Sequence, residues 1–229
     1  MVNAKLLVYK TLYISLAIQI ITTLISLHGF FIKLGDKDLI LKDILAIEAV
    51  VQFVESFLYI WLIFAVKRME NMTRRRYIDW MITTPIMLLS TIIFMDYKYE
   101  KEKNTDKKII FTEYLKENKT NIIKIAVFNG LMLLFGYLGE TEIIPKYIGI
   151  PIGFVFFYLS FSLIYNKYAY KTDLGKKLFY FVAGVWSLYG VAATFGLEYK
   201  NISYNILDII AKNFYGLFIY YKILQIQVN

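Results

Sequence analysis

Lys212 lies in an apolar run, Ile206 to Tyr221, whose only other charged residue is Asp208, four positions earlier. An amine in such surroundings must lose its proton, find a carboxylate or be changed covalently, because an unpaired cation is costly there. Positions four apart share a helical face, so Asp208 can sit beside a protonated amine or imine at Lys212. Three more carboxylates, Glu48, Glu55 and Asp79, fall within other apolar runs, and Arg76 stands near the end of one. Function is the default reading of such a set: it can neutralise a fixed cation, and it can take up and release protons. Other chemistries lack their parts. The chain has no cysteine and a single histidine, His28, so thiol catalysis and cysteine metal sites are excluded and a metal site would need carboxylates alone. His28, at the end of an apolar run, reads as an interfacial residue. No nucleophile with its base and no phosphate loop is visible, so the chain is not expected to be an enzyme.

The elements that position these groups are read as membrane helices. Of 229 residues 58% are hydrophobic, above the roughly 45 to 50% of soluble domains, and the mean hydropathy is +0.51. Charges are concentrated in the segments between apolar spans. These spans run near 8–31, 42–66, 73–97, 121–140, 144–166, 176–197 and 203–225, each with about the 20 residues a helix needs to cross hydrocarbon. Three prolines and no internal repeat predict mostly continuous helices. The expectation is an all-α, seven-transmembrane helix bundle, one multi-pass domain over residues 1–229 with membrane lipids around it. Met1 to Lys5 lacks the features of a cleaved signal and the first apolar run is too long for one, so the first helix is expected to stay.

Sixteen of the 26 Lys and Arg residues fall in 32–42, 98–124, 167–177 and at Lys222, which predicts an outside N-terminus and a cytoplasmic C-terminus. Arg74, Arg75 and Arg76 oppose this bias locally. The same distribution gives the net charge of +8 a topological origin and leaves no reason to expect a nucleic-acid partner. The longest connection, 97–120, holds an amphipathic piece at 109–115 that reads either as a solvated charged loop or as a helix on the inner membrane surface.

Arg76-Tyr77-Ile78-Asp79-Trp80-Met81-Ile82-Thr83-Thr84-Pro85 resembles the third-helix signature of microbial (type 1) rhodopsins. Asp208 to Lys212 is similar to their seventh-helix Schiff-base motif, and Met132 and Gly136 on the fourth span with Trp186 and Tyr189 on the sixth extend the resemblance in order. The triplet Asp79, Thr83 and Ser90 looks most like the rhodopsins of marine algal viruses. The resemblance implies all-trans retinal carried on Lys212 as a protonated Schiff base, with Asp79 as counterion and proton acceptor and Asp208 as a second carboxylate. It also implies a pocket that includes Trp80, Thr83, Thr84, Met87, Met132, Gly136, Trp186 and Tyr189, in a photoreceptor of a cell membrane.

Spacing is consistent with these roles. Asp79, Thr83 and Ser90, four and seven residues apart, point from one helical face, Asp79 and Ser90 roughly 16 Å apart along the axis. Arg76, almost one turn further out, is expected either to hold Asp79 and Asp208 ionised or to snorkel to the outer surface. Flat aromatic rings and adaptable Met suit a rod-like apolar ligand. Two positions depart from the family pattern: Gly190 stands where a proline is usual and Ala193 where a tryptophan often lies, which predicts a looser pocket at that end. Gly153 and Phe157 match the fifth-helix pocket only approximately.

For transport two patterns compete. A pump needs an inner proton donor, and that position holds Ser90, which cannot supply a proton at physiological pH; Glu48 is the substitute at hand. On the second span Glu48 and Glu55 are seven apart, roughly 10 Å along one stripe, with Tyr59 a turn beyond, and a stripe of acids can line a cation path. Ser15, Glu55 and Asn213 resemble the central gate of channelrhodopsins, with Glu48 as an inner-gate acid; the alternative is a protonated core acid at Glu55 and a packing amide at Asn213. A light-gated cation channel is the favoured expectation, a light-driven outward proton pump the second, and a sensor signalling through the inner loop the third. Cations or protons are thus the expected transported species. No residue pattern selects an oligomeric state, and a homo-oligomer stays open.

Overall fold

A backbone in hydrocarbon has no water to bond, so an apolar run must satisfy its amides internally, as a helix. The structure, a computed structural model, describes residues 4–65, 69–105 and 107–228 and follows this rule. The helices are α1 (Ala4–Gly29), α2 (Ile40–Ala65), α3 (Met69–Glu102), a short α4 (Phe111–Glu117), α5 (Lys119–Glu140), α6 (Lys146–Lys167), α7 (Asp173–Ala192), α8 (Leu197–Asp208) and α9 (Phe214–Val228). A π-helical turn, Ile209–Asn213, joins α8 to α9 without a loop, so the two form one rod. With α4 lying at one end, seven rods make up the bundle. α1 packs on α2, α2 on α3, α3 on α5, α5 on α6 and α7 on α8, while α8 and α9 return against α1 to close the ring. Residues 1–3, on which the signal reading partly rests, lie outside the described residues.

Taken singly, α1, α2, α3, α5 and α6 are long and apolar enough to cross a membrane. The other two rods fall short for reasons visible in their sequences. α7 opens on the charged turn Asp173 to Lys177, and the last rod is split at the π turn and carries Lys200, Asp208 and Lys212. That turn departs from the expected continuous helix. Phe214 N–H donates to Ile209 O, five residues back, so the register between Asp208 and Lys212 is not that of an α-helix; such turns cluster at functional sites.

Polarity is turned inward along α1. Its buried positions, Val8, Leu12, Ser15, Gln19, Thr22, Ser26 and Gly29, recur at alternating spacings of four and three, and from Ser15 onward every one but Gly29 carries a polar side chain. Tyr13, Ile14, Ile20, Ile21, Leu24 and Leu27 are exposed. Apolar outside and polar inside is the reverse of a water-soluble helix and fits lipid as the surrounding solvent. α5 and α6 approach closely because Gly149 lets them: a Cβ there would stand 2.8 Å from Phe135 O and 3.1 Å from Gly139 Cα, and small residues are what bring membrane helices together.

At the end of the bundle holding the connection 97–120, the segment 109–115 contributes to α4, which is docked, not a solvated loop. Tyr114 is buried, and its hydroxyl donates to Asp96 Oδ2 at 2.8 Å, whose Oδ1 pairs with Lys171 at 2.6 Å. His28, at the same end, is exposed and shares a 2.9 Å hydrogen bond with the Tyr220 hydroxyl.

Candidate functional site

Three helices converge on Lys212. Its Nζ lies 2.6 Å from Asp79 Oδ2 on α3 and 3.0 Å from Glu55 Oε1 on α2, with all three side chains at most 2% exposed. Asp208 is engaged elsewhere: its Oδ2 accepts from Arg76 Nη1 and from the Tyr59 hydroxyl, each at 2.7 Å, and its Oδ1 from the Tyr189 hydroxyl at 2.8 Å. Arg76 also donates to Asn205 Oδ1 and is fully buried, so it does not snorkel. One expectation is corrected here: the carboxylates against the Lys212 nitrogen are Asp79 and Glu55, with Asp208 held by Arg76 and two tyrosines. Arg76 bonds Asp208 directly and reaches Asp79 through its charge. The π turn between Asp208 and Lys212 changes the register on which the expectation rested. Three carboxylates face two cations, which leaves one negative charge in excess if all are ionised. Burying an unpaired charge is costly.

Beside Lys212 opens a cavity of about 790 Å³, walled by Trp80, Met87, Met132, Trp186 and Tyr189, with Thr84 and Gly136 also on its surface. Trp80 packs edge-on against Tyr189 and Tyr204 at 5.5 and 5.1 Å between ring centres. Gly136 is required by its neighbour, since a Cβ there would stand 2.9 Å from the Tyr77 hydroxyl oxygen. Gly153, Phe157, Gly190 and Ala193 line the cavity as well. The end with Gly190 is not simply looser: the Phe154 ring leans in, and a Cβ at Gly190 would come within 2.6 Å of two of its atoms. Thr83 is not in the wall; its hydroxyl donates to Asp79 O at 2.9 Å and lies 3.5 Å from Asp79 Oδ2. A long apolar cavity ending on a buried lysine amine fits retinal.

A second constellation runs along α1, α2 and the last rod. Ser90 donates to Glu48 Oε1, and both are completely buried. The Ser15 hydroxyl donates to Asn205 O at 2.8 Å, and Asn213 Oδ1 accepts from the Thr22 hydroxyl at 2.5 Å. Ser15, Glu55 and Asn213 are all buried, and among the described residues no hydrogen bond joins them to one another. Gln19 Nε2 and Oε1, Gln52 Nε2, Glu48 Oε2 and Asn213 Nδ2 are buried without a hydrogen-bond partner among the described residues. Buried polar atoms are rarely left so in folded proteins. Gln19, Thr22, Gln52 and Asn205 escaped the sequence reading, although amides and hydroxyls recurring every three or four residues within apolar spans were signal enough. Asn129 escaped it too; its Nδ2 donates to Thr84 Oγ1 at 2.7 Å, tying α5 to the cavity wall.

No curated protein matches the chain. Among solved structures, the viral rhodopsin OLPVRII superposes with a TM-score of 0.82 at 26% identity, covering 96% of this chain and 99% of its own. Exiguobacterium sibiricum rhodopsin gives 0.75 at 19%, covering 99% and 98%. Blue light-absorbing proteorhodopsin from Med12 gives 0.75 at 17%, covering 97% and 99%; these last two similarities speak for the fold. The model of the family described as bacteriorhodopsin-like protein matches residues 10–226. With that match over nearly its whole length, the chain belongs to the bacteriorhodopsin-like family of multi-pass membrane proteins, which carry retinal on a lysine through a Schiff base.

Proposed function

We propose that this protein is a light-gated cation channel, with retinal held on Lys212 Nζ and the N-terminus outside. The observation that carries the reading is the buried polar seam: α1 buries Ser15, Gln19, Thr22 and Ser26, α2 buries Glu48, Gln52 and Glu55, and hydrogen bonds carry Ser15 to Asn205 and Thr22 to Asn213 on the last rod and Ser26 to Gln52 on α2. A bundle that needs only to enclose a chromophore has no use for a row of buried hydroxyls, amides and acids reaching away from it. Acidic side chains in such a row attract cations and repel anions.

Retinal, when bound, supplies absorption of light and a change of shape and proton affinity at the lysine nitrogen. Asp79 Oδ2, 2.6 Å from Lys212 Nζ, is placed to accept a proton from that nitrogen. Glu55, 3.0 Å from the same nitrogen, then loses the cation that holds it and is free to turn into the seam toward Gln19 and Asn213. Asp208 stays anchored by Arg76, Tyr59 and Tyr189, so the outer half keeps its geometry while the inner half hydrates.

One observation favours a second reading. Glu48 and Ser90 are hydrogen-bonded on the other side of Lys212 from Arg76, and an acid there can return a proton to the lysine nitrogen as an outward proton pump requires. Voltage clamp of retinal-supplied cells separates the two. A light-evoked current that reverses near the cation equilibrium potential, shrinks in Glu55→Gln and vanishes with the colour in Lys212→Ala supports the channel. A current that stays outward at every voltage refutes it in favour of the pump, and an unaltered current in Glu55→Gln removes Glu55 from the path.

A further inference from the structure

The inner end of the bundle holds a second feature that the seam does not explain. A cavity of about 510 Å³ lies between α2, α3, α7 and α9, with Lys98, Lys101, Lys222 and Gln225 in its wall above the apolar Leu41 and Phe94. Because four helices of the ring surround it, it opens at the end of the bundle. Its floor is set directly under the Glu48 and Ser90 pair: Phe94 is about one turn beyond Ser90 on α3, and Leu41 about two turns before Glu48 on α2. Phe94 packs edge-on against Phe218 at 5.2 Å between ring centres, an aromatic layer between the acid and the cavity.

The charges facing the cavity do not cancel. Lys101 is paired with Asp38 at 2.5 Å and Lys98 with Glu102 at 3.4 Å. Among the described residues Lys222 meets no carboxylate: its amine donates to Gln225 Oε1 at 2.8 Å and lies 5.5 and 5.6 Å from the Phe218 and Tyr221 rings. The vestibule is therefore net positive although the acids deeper in the protein select for cations. A positive charge at one mouth lowers the local concentration of cations that enter from that side, while cations leaving through it are already committed to exit.

We infer that Lys98, Lys101 and Lys222 form a positive ring at the inner mouth of the conduction path, with Lys222 its uncompensated member, and that this ring makes the light-evoked current rectify inward. This rests on the channel reading. A unit charge acting across about 7 Å of water changes the local cation concentration about two- to threefold, and salt screens the effect.

The test is the ratio of inward to outward photocurrent at mirrored voltages in symmetric salt. Lys222→Gln is expected to raise outward current about two- to threefold with inward current nearly unchanged, and Lys222→Glu to raise it by about the square of that factor. Raising the ionic strength should diminish the difference between wild type and variants. Lys167→Gln, an exposed lysine at the same end that does not line the cavity, should leave the ratio as it was, and retained colour in each variant reports folding. A reversing current whose ratio is the same in wild type, Lys222→Gln and Lys222→Glu overturns the inference and leaves the channel reading intact. Absence of any reversing current in wild type overturns the channel reading and this inference with it.

Discussion

Asp208→Asn tests whether the buried cluster is organised as two separate ion pairs. Arg76 Nη1 and Asp208 Oδ2 are 2.7 Å apart and wholly without solvent, a geometry worth roughly 6 kcal/mol of attraction at an effective dielectric constant near 20. Most of that offsets desolvation. Removing one partner of such a pair nonetheless costs about 3 to 5 kcal/mol, because the other charge stays buried. The two ends of the pair are unequal. Asp208→Asn takes away the excess negative charge of the cluster, so its cost belongs near 3 kcal/mol. Arg76→Gln leaves three carboxylates around Lys212 alone, so its cost belongs near 5 kcal/mol. At about 1.4 kcal/mol per factor of ten, thermal loss of the visible band at fixed temperature should accelerate about a hundredfold for Asp208→Asn and over a thousandfold for Arg76→Gln, if the pair is broken in the rate-limiting opening. The double variant should bleach more slowly than the two effects multiplied, since both act on one pair. Tyr59→Phe, which removes one hydrogen bond to the carboxylate, should accelerate bleaching about tenfold. Bleaching within about threefold of wild type in both single variants, or a double variant that is simply multiplicative, would refute the argument that this pair holds its part of the bundle together.

Asp79→Asn removes the anion 2.6 Å from Lys212 Nζ; the reconstituted pigment should absorb to the red of wild type and lose its fast light-induced deprotonation, and an unshifted band with unchanged kinetics would count against Asp79 as the acceptor. Gly149→Ala places a methyl 2.8 Å from Phe135 O, where backbone must yield; it should lower stability by about 1 to 3 kcal/mol, seen as faster thermal bleaching with the absorption maximum in place.

The two kinds of information in the sequence differed in how far they reached. Existence and order of the rods followed from length and polarity, because a bilayer leaves an apolar run no alternative to a helix. The family resemblance named the cavity wall, and Trp80, Met87, Met132, Trp186 and Tyr189 all stand on it. Pairing was not legible in the same way. The register between Asp208 and Lys212 is set by a π turn, and Ile209 to Asn213 carries no proline or glycine to announce it. Glu55, Ser15 and Asn213 were assigned to one gate by kind and by span, yet their partners are set by helix rotation, which spacing within a span does not contain. What spacing did contain was the stripe Ser15, Gln19, Thr22 and Ser26, each at a buried position. Read as a set it is more telling than any of the acids taken singly. An isolated intramembrane carboxylate can be a protonated, hydrogen-bonded core group, whereas a helix that keeps its polar face inward for three turns commits its neighbours to accommodating water or ions along the same line. That commitment, made by α1 before any charged residue is considered, is why the transport reading rests on hydroxyls and amides as much as on Glu48 and Glu55.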